Sequence, residues 1–553
     1  MIYSFLFKSK LLVKKHLKSD TTGKYDKDIA SYAREFEQKY PYLCRKPRKI
    51  NKAGSVVLIN SPLYMAYSMQ MESIAGRFLE NNGFRVIFLT KYEHKGLSDR
   101  IHKQIHGFSE ILYLQDFMPV TLSRQAKEIL NSIMKMKTIP EIKKVHYRNI
   151  PLGLHALASY PGALPTGDIS GNRAFFAQIY NNVKYSLMAA GAVEKILDEI
   201  KPLKIISMEK GNIGNCELFY EALHRGIDYV SWLSCHEPNS LMLKRYNLRN
   251  HRAHPFSISD KSWREVLSDN NDHSESVYSI LKDGYLNGRW FEYKKLAADK
   301  VLSDKDEIIK TYGLNPGKKI AVIFSHILDD ANLFFGEDIF VNGFSEWLVK
   351  TVEAAALNTH VNWLLKLHPA NVYRRAFQNY SGEYGEIAAI KEALGQLPEN
   401  IKVILPDTGI NPWSFFQIAD YGVTVRGTVG AELPCFGVPV LTAGTGRYAN
   451  KGFTVDSTSV SEYLQKIRNI HEIKPLSHSE IALAVKHAYL FFIIRPAKFD
   501  LLINDLFTHP PGHPICRDFN LIDTEVFQSK QFSNIARFIA FSTDEDFLST
   551  HNY

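Results

Sequence analysis

Short apolar runs rich in β-branched and aromatic residues recur along the whole chain, and stretches with helical spacing lie between them. The first half carries Val56-Val57-Leu58-Ile59, Val86-Ile87-Phe88-Leu89, Ile111-Leu112-Tyr113-Leu114, Ile205-Ile206-Ser207-Met208 and Tyr229-Val230-Ser231-Trp232-Leu233. The second half carries Ile320 to Phe324, Trp363 to Leu367, Val403-Ile404-Leu405, Val423-Thr424-Val425 and Pro439-Val440-Leu441. Such runs lack the polar alternation of a half-exposed strand, so they read as strands buried on both faces of a parallel sheet. Helical candidates at Met69 to Asn82, Asn172 to Ile200, Phe344 to Leu357 and Ser459 to Ile470 supply the crossovers that parallel strands need. At 553 residues the chain exceeds what one hydrophobic core organises, so the expectation is α/β with two Rossmann-like domains facing across a cleft.

The alternation breaks once, over 250–318, where an acid-rich stretch from Ser268 to Ser276 precedes a lysine-rich helical stretch near 293–311. It restarts at Lys319, after the turn Asn315-Pro316-Gly317. The expected organisation is a basic segment over 1–50, a first Rossmann-like domain over 51–305, a second over 306–475, and terminal helices over 476–553 that pack back on the first.

The longest apolar run, Ala488 to Ile494, falls well short of the ~18 residues that span a bilayer and reads as a buried helix segment. The apolar start MIYSFLF precedes its lysines, the reverse of a secretory signal. Cys44, Cys216, Cys235, Cys435 and Cys516 form no CxxC pair or zinc-ligand spacing and read as reduced thiols of a cytoplasmic protein. The net charge of +9 is partly local. Lys8, Lys10, Lys14, Lys15 and Lys18 interleave with Leu11, Leu12, Val13 and Leu17, so residues 1–18 read either as a segment resting on an anionic membrane face or as a solvated tail. No zinc-finger, RNP or basic-zipper pattern points to nucleic acid.

Three segments carry chemistry in the second half. In Leu365-Lys366-Leu367-His368-Pro369 a buried strand ends at a proline, which stops the ladder. Ligands of doubly wound sheets bind at such ends, where His368 can donate to a phosphate or base and Lys366 adds positive charge. From Asp420 to Glu432 the pattern reads strand, Gly/Thr turn, helix. There Gly427 and Gly430 allow close backbone approach, Thr428 offers a hydroxyl, and Arg426 adds a charge-assisted phosphate donor. Glu432 can accept from ribose hydroxyls, or can simply suit the first turn of a helix. The third segment, Phe324 to Asp330, brings Ser325, His326 and the Asp329-Asp330 pair to the same edge, and Trp347 on the next helix reads as core rather than a sugar platform.

The ordered set His326-Ile327-Leu328-Asp329-Asp330, Gly343 to Ala355, Leu365 to Asn371 and Val425 to Leu441 resembles bacterial capsular and lipopolysaccharide glycosyltransferases of the capsule-synthesis type. That group includes transferases of the acidic sugar Kdo, supplied as CMP-Kdo. The His-Pro motif and the later Thr-containing turn are also similar to the CMP-binding pair of bacterial sialyltransferases and CDP-glycerol transferases, although Gly427-Thr428 stands where sialyltransferases carry paired serines. The resemblance implies the GT-B architecture, and a donor-nucleotide site at His368, Arg426, Gly427, Thr428 and Glu432. It implies transfer from a nucleotide sugar donor to a glycan or lipid-linked glycan acceptor, with no metal or other cofactor.

The first half is expected to supply the acceptor site and the reactive group. Glu209 follows one strand, and His236 and Glu237 follow the next; each is a candidate general base or nucleophile, or a capping residue. The basic tract from Lys244-Arg245-Tyr246 to His254-Pro255 reads as an anionic-acceptor contact or a solvated loop. Two other readings stay open. One is a sugar-nucleotide 2-epimerase or polyol-phosphate transferase on the same architecture, and the other is a non-catalytic scaffold of a polysaccharide assembly complex. Deleting residues 1–18 is expected to reduce co-sedimentation with anionic liposomes in a salt-sensitive way. Equal sedimentation with and without them identifies a solvated tail.

Overall fold

The computed structural model describes residues 25–39, 41, 54–161, 164–165, 169–237, 240–288, 300–328, 333–336, 339–372, 375, 381–444, 447–498, 503–506, 517–520 and 530–553. The basic segment 1–18, Cys44, Cys516, the Asp329-Asp330 pair and the lysine-rich stretch 293–299 lie outside the described residues.

The described strands run β1 (Val56–Asn60), β2 (Arg85–Thr90), β3 (Ile111–Tyr113), β4 (Lys204–Ser207), β5 (Asp228–Ser234), β6 (Ser240–Tyr246), β7 (Ile320–Phe324), β8 (Asn362–Lys366), β9 (Ile401–Ile404), β10 (Tyr421–Thr424), β11 (Val440–Thr442), β12 (Ala497–Lys498), β13 (Ile503–Leu506) and β14 (Arg517–Asn520). Every apolar run read as a strand from the sequence overlaps one. One sheet has the order β12-β6-β5-β4-β1-β2-β3, the other β11-β10-β7-β8-β9, and β13 pairs with β14 alone. The first sheet is parallel from β3 to β5, with β6 and β12 added antiparallel at its edge, and the second is parallel throughout. Both are doubly wound, and the chain has the two-Rossmann GT-B architecture. In each sheet the first strand lies between the second and the fourth, so the winding direction reverses beside β1 and beside β7. Crevices at such reversals, outside the carboxyl ends, are where ligands of these folds bind.

Helices cover both faces. Ala66–Asn81 packs on one face of the first sheet and the long helix Arg173–Ile200 on the other, each within its own apolar cluster. On the second sheet, Phe344–Ala356 and Val460–Arg468 share one face, where the Trp347 indole donates to the Tyr463 hydroxyl at 2.8 Å. Trp347 is core, as its sequence context implied. The opposite face carries Pro412–Ile418, His478–Tyr489 and Ser274–Leu286. This last helix lies within the stretch read as a polar interruption, yet the Tyr278 hydroxyl reaches the Cys435 carbonyl at 2.8 Å. Val301 also bridges to Ile410, so the chain is packed on the second sheet before residue 305.

The basic tract is the main local surprise. Its first three residues, Lys244-Arg245-Tyr246, end β6 with both charges paired inside the protein rather than solvated, and 247–255 follow as turns and bends. Arg245 bonds Asp228 at 2.7 Å and reaches the Phe538 and Ile539 carbonyls at 3.0 and 3.2 Å, near the end of the helix Lys530–Phe541. Lys244 bonds Asp546 at 2.8 Å, and Arg495 approaches the same carboxylate at 3.2 Å. Ser259 N–H completes the site at 2.7 Å. The apolar run ending at Ile494 is a buried continuation of the helix His478–Tyr489; beyond it β12 joins β6, returning the chain from the second sheet to the first.

Burial alone would push the Asp546 carboxyl up, but Arg495, Lys244 and the Ser259 N–H overcome it and hold the group well below the usual carboxylate range. A carboxyl depressed in the folded state contributes stability above its unfolded pKa of about 4, lost as pH falls toward the folded value. Asp546→Asn leaves two buried cations without their counter-charge. It is expected to lower stability by roughly 3–5 kcal/mol in denaturant titrations at neutral pH, with the gap to wild type narrowing in acid.

Candidate functional site

The carboxyl ends of the two sheets meet. Leu333 to Gly336, from the segment between β7 and the helix Phe344–Ala356, reaches into the first domain. Phe334 lies against Gly211, where an added Cβ would sit 1.9 Å from its ring. It also stacks on His155, with centroids 5.2 Å apart. Phe335 packs on His254 at 4.6 Å and lies 5.2 Å from the Lys210 ammonium, which also faces Tyr246 at 4.1 Å. Arg426 donates to the Phe335 carbonyl, and Arg252 donates to the Gly336 carbonyl while its own carbonyl accepts the Gly336 N–H at 2.8 Å. Residues just past β4, β7 and β10 therefore form one contact across the two domains.

At the β7/β10 reversal, His326 is buried and stacked on Phe344 with centroids 4.2 Å apart. Its Nε2 accepts the Val425 N–H at 3.2 Å and bonds the Thr424 hydroxyl at 3.0 Å. That hydroxyl oxygen in turn accepts the Gly427 N–H at 3.2 Å. Burial, reinforced by His368, Arg426 and Arg447, holds the imidazole far below its ordinary range, so it is neutral. His326 thus sets the turn after β10 rather than carrying a charge.

The turn itself is tightly constrained. Tyr448 donates to the Gly427 carbonyl at 2.8 Å, and a Cβ on Gly430 would lie 2.0 Å from the Tyr448 hydroxyl. Thr428 is partly exposed at the start of the helix Val429–Glu432, and its carbonyl accepts the Ala431 and Glu432 N–H groups at 2.9 and 3.1 Å. Glu432 is separated from this edge. Its carboxylate is fully buried and accepts the Tyr285 hydroxyl at 2.8 Å, anchoring the helix Ser274–Leu286.

Lys366 and His368 are half-buried at the end of β8, beside β7. The His368 Nδ1 accepts the Ala370 N–H at 3.2 Å. What holds this end is Glu386, which the sequence reading passed over. Buried in the first turn of the helix Gly385–Leu394, it accepts from Ser325 Oγ at 3.2 Å, from Asn371 Nδ2 at 2.6 Å and from the His368 N–H. Burial pushes this carboxyl up despite those donors. One side chain therefore ties together the ends of β7 and β8. A Tyr-Gly-Glu start to a helix gives little local sign of this, since all its partners lie at least fifteen residues away.

On the first domain, Glu209 follows β4 and is half-buried. Its carbonyl accepts the Ser207 hydroxyl at 2.7 Å and the Tyr229 hydroxyl at 3.3 Å, which fixes the turn beside the interdomain contact. Next to it, Lys210 is buried and donates to the His251 and Ala253 carbonyls. His236 and Glu237 are more deeply placed. His236 lies 5.2 and 4.8 Å from the Phe491 and Phe492 rings, and its Nε2 donates to the Phe492 carbonyl at 3.2 Å. The structure thus groups Ser325, His326, Lys366, His368, Arg426, Gly427 and Thr428 at one edge and sets Glu209 opposite. His236 packs on the crossing helix instead. Among the described residues no His, Cys, Asp and Glu cluster has the form of a metal site, and no helix is long and apolar enough to cross a membrane.

No known protein family and no curated protein matches the sequence. Solved structures similar to this chain include KpsC β-Kdo 2,4-transferase of Thermosulfurimonas dismutans, at 14% identity and TM-score 0.32 over 51% of this chain and 79% of that one. The β-Kdo 2,7-transferase of the same KpsC matches at 13% and 0.29, over 59% and 85%. UDP-GlcNAc 2-epimerase from Neisseria meningitidis matches at 12% and 0.23, over 79% and 98%. At these scores they add nothing to what the order of the strands shows.

Glu386→Ala strips Ser325 and Asn371 of a shared buried acceptor. The expected cost is on the order of 2–4 kcal/mol, read by chemical denaturation, with Glu386→Gln intermediate because the amide keeps one acceptor oxygen.

Proposed function

We propose that the chain transfers a glycosyl group from a nucleotide-activated sugar, held outside the carboxyl ends of β7, β8 and β10, to a glycan acceptor held by the first domain. The observation that carries this is topological. The winding reversal of the second sheet lies beside β7, and β7 is flanked by β8 and β10, the two strands whose ends carry the segments that the sequence marks as phosphate- and base-binding. Arg426 and the partly exposed Thr428 hydroxyl offer donors to a phosphate, and His368 with Lys366 flank them from β8. A cytidine nucleotide carrying an acidic sugar such as Kdo is the preferred donor, on the resemblance stated above. A capsule or lipopolysaccharide glycan is the preferred acceptor, with residues 1–18 resting on the inner membrane face. The leaving phosphate is stabilised by basic side chains and main-chain N–H groups.

Glu209 is the proposed reactive carboxylate. It lies within two residues of Gly211, the point at which the first domain touches the loop beyond β7. The other carboxylate at a neighbouring strand end, Glu237, is nearly fully buried.

His368→Ala and Thr428→Ala are expected to weaken binding of CMP or CDP in calorimetry while leaving the unfolding transition in place. Unchanged affinity in both variants moves the nucleotide elsewhere. Glu209→Gln should lower transfer about a hundredfold or more, as for loss of a general base, with nucleotide affinity kept. Near-normal transfer by this variant removes Glu209 from the chemistry. Product analysis without acceptor separates transfer from epimerisation, which needs the nucleotide sugar alone.

A further inference from the structure

The first sheet has a reversal of its own, between β1 and β4, and its chemistry differs from that of the second. Asn60 ends β1 and donates to Ser207 Oγ at the end of β4 (3.0 Å) and to Asn215 Oδ1 (3.4 Å). In the turn that follows β4, Asn212 and Asn215 are 1% and 0% exposed. Among the described residues, neither Oδ1 nor Nδ2 of Asn212 has a hydrogen-bond partner, and neither does Nδ2 of Asn215. The buried hydroxyl oxygen of Tyr185, on the long helix, is likewise unpartnered. These groups surround the turn at Gly214, whose φ of 84° suits glycine. A Cβ there would lie 3.0 Å from both the Tyr185 ring and Lys91 Nζ. Glu217 accepts the Gly214 N–H at 2.7 Å and holds the turn in place.

Buried amide atoms almost always find partners, and each one left without costs about 1–3 kcal/mol. Four such atoms beside one winding reversal call for partners from outside the protein. Asn212 leaves an acceptor and a donor together, so its partner must bring both. A phosphate offers acceptors only, an ammonium donors only, and a hydrocarbon neither. A vicinal diol offers both, at the spacing of an amide's oxygen and nitrogen.

We propose that this crevice binds a sugar through vicinal hydroxyls, with Asn212 as the bidentate contact, Asn215 and Tyr185 beside it, and Lys91 supplying a nearby positive charge. It deepens the transferase reading, on which its description as the acceptor subsite rests. The sugar lies on the same edge as Glu209, five residues of chain from the end of β4 at Ser207 to Asn212.

The test uses the full chain with two methyl glycosides, of Kdo and of β-D-galactose, followed by saturation-transfer NMR and, where transfer is measurable, by acceptor KM. Tyr185→Phe removes a single oxygen and Asn212→Leu replaces the amide by an apolar group of similar size. Both variants should keep or raise the wild-type Tm, because each removes an unpaired buried polar group. Both should weaken glycoside binding or raise acceptor KM about tenfold, with affinity for a cytidine nucleotide unchanged. Wild-type chain that binds neither glycoside, or variants that bind and react as wild type does, overturns the proposal and leaves those atoms to ordered water. The two readings fail separately. Normal transfer with unaltered variants sinks the sugar site alone, whereas glycoside binding lost in the variants without transfer from any nucleotide sugar sinks the transferase reading alone.

Discussion

The relation between the two domains depends on a ring lying where residue 211 has no side chain. Gly211 and Phe334 follow strands of different sheets, and any Cβ at 211 would overlap the phenyl ring. The requirement at 211 is therefore close approach, since its φ is not among the positive ones. The inserted loop could not be buried with bare carbonyls. Arg426 from the second domain and Arg252 from the first each take one, so two guanidiniums of opposite domains neutralise the polar cost of the same short segment. Fixing that contact fixes which edges oppose each other, and so places the turn after β4 against the turns after β7 and β10.

A second connection runs through the chain's return. The segment 478–498 packs first on the second sheet and then adds β12 to the first, and His236 meets it through Phe491 and Phe492. Its end is held by the buried Arg495–Asp546–Lys244 group. This arrangement explains why charges near 244 do not mark a solvated loop or an acceptor contact. A basic pair inside an otherwise apolar strand is stable only with counter-charges, and here they come from Asp228 and from residue 546, about three hundred positions away.

This distance sets what was legible. The strands of both sheets were readable because an apolar run between turn residues is a local property, and buried parallel strands are apolar on both faces. The edge after β7, β8 and β10 was readable for the same reason, since His-Pro and the Gly-Thr turn lie at the ends of such runs. Glu386, the Phe334-Phe335 insertion and β6 were not. Each takes its meaning from partners distant in sequence, and each looks locally like something else: a helix start, an apolar loop, a basic loop. Glu432 shows the converse. Its place in the short helix after the Gly-Thr turn allowed either a ribose contact or a residue that merely suits a first helical turn, and Tyr285 bonds it on the core side.

The two winding reversals also differ in the kind of partner they can take. The edge of the second sheet carries donor groups, the Arg426 guanidinium, the Thr428 hydroxyl and a lysine, with His326 kept neutral so that it accepts from the backbone and shapes the turn. Such an edge suits a group rich in acceptors and negative charge. The edge of the first sheet presents amides and a phenol, which offer donors and acceptors together. Such an edge suits hydroxyls. In the proposed transfer, the bond between an anionic leaving group and a hydroxyl-bearing acceptor would be exchanged where these two environments touch, beside the contact between Gly211 and Phe334, and this is why the half-buried Glu209 is the carboxylate proposed for it.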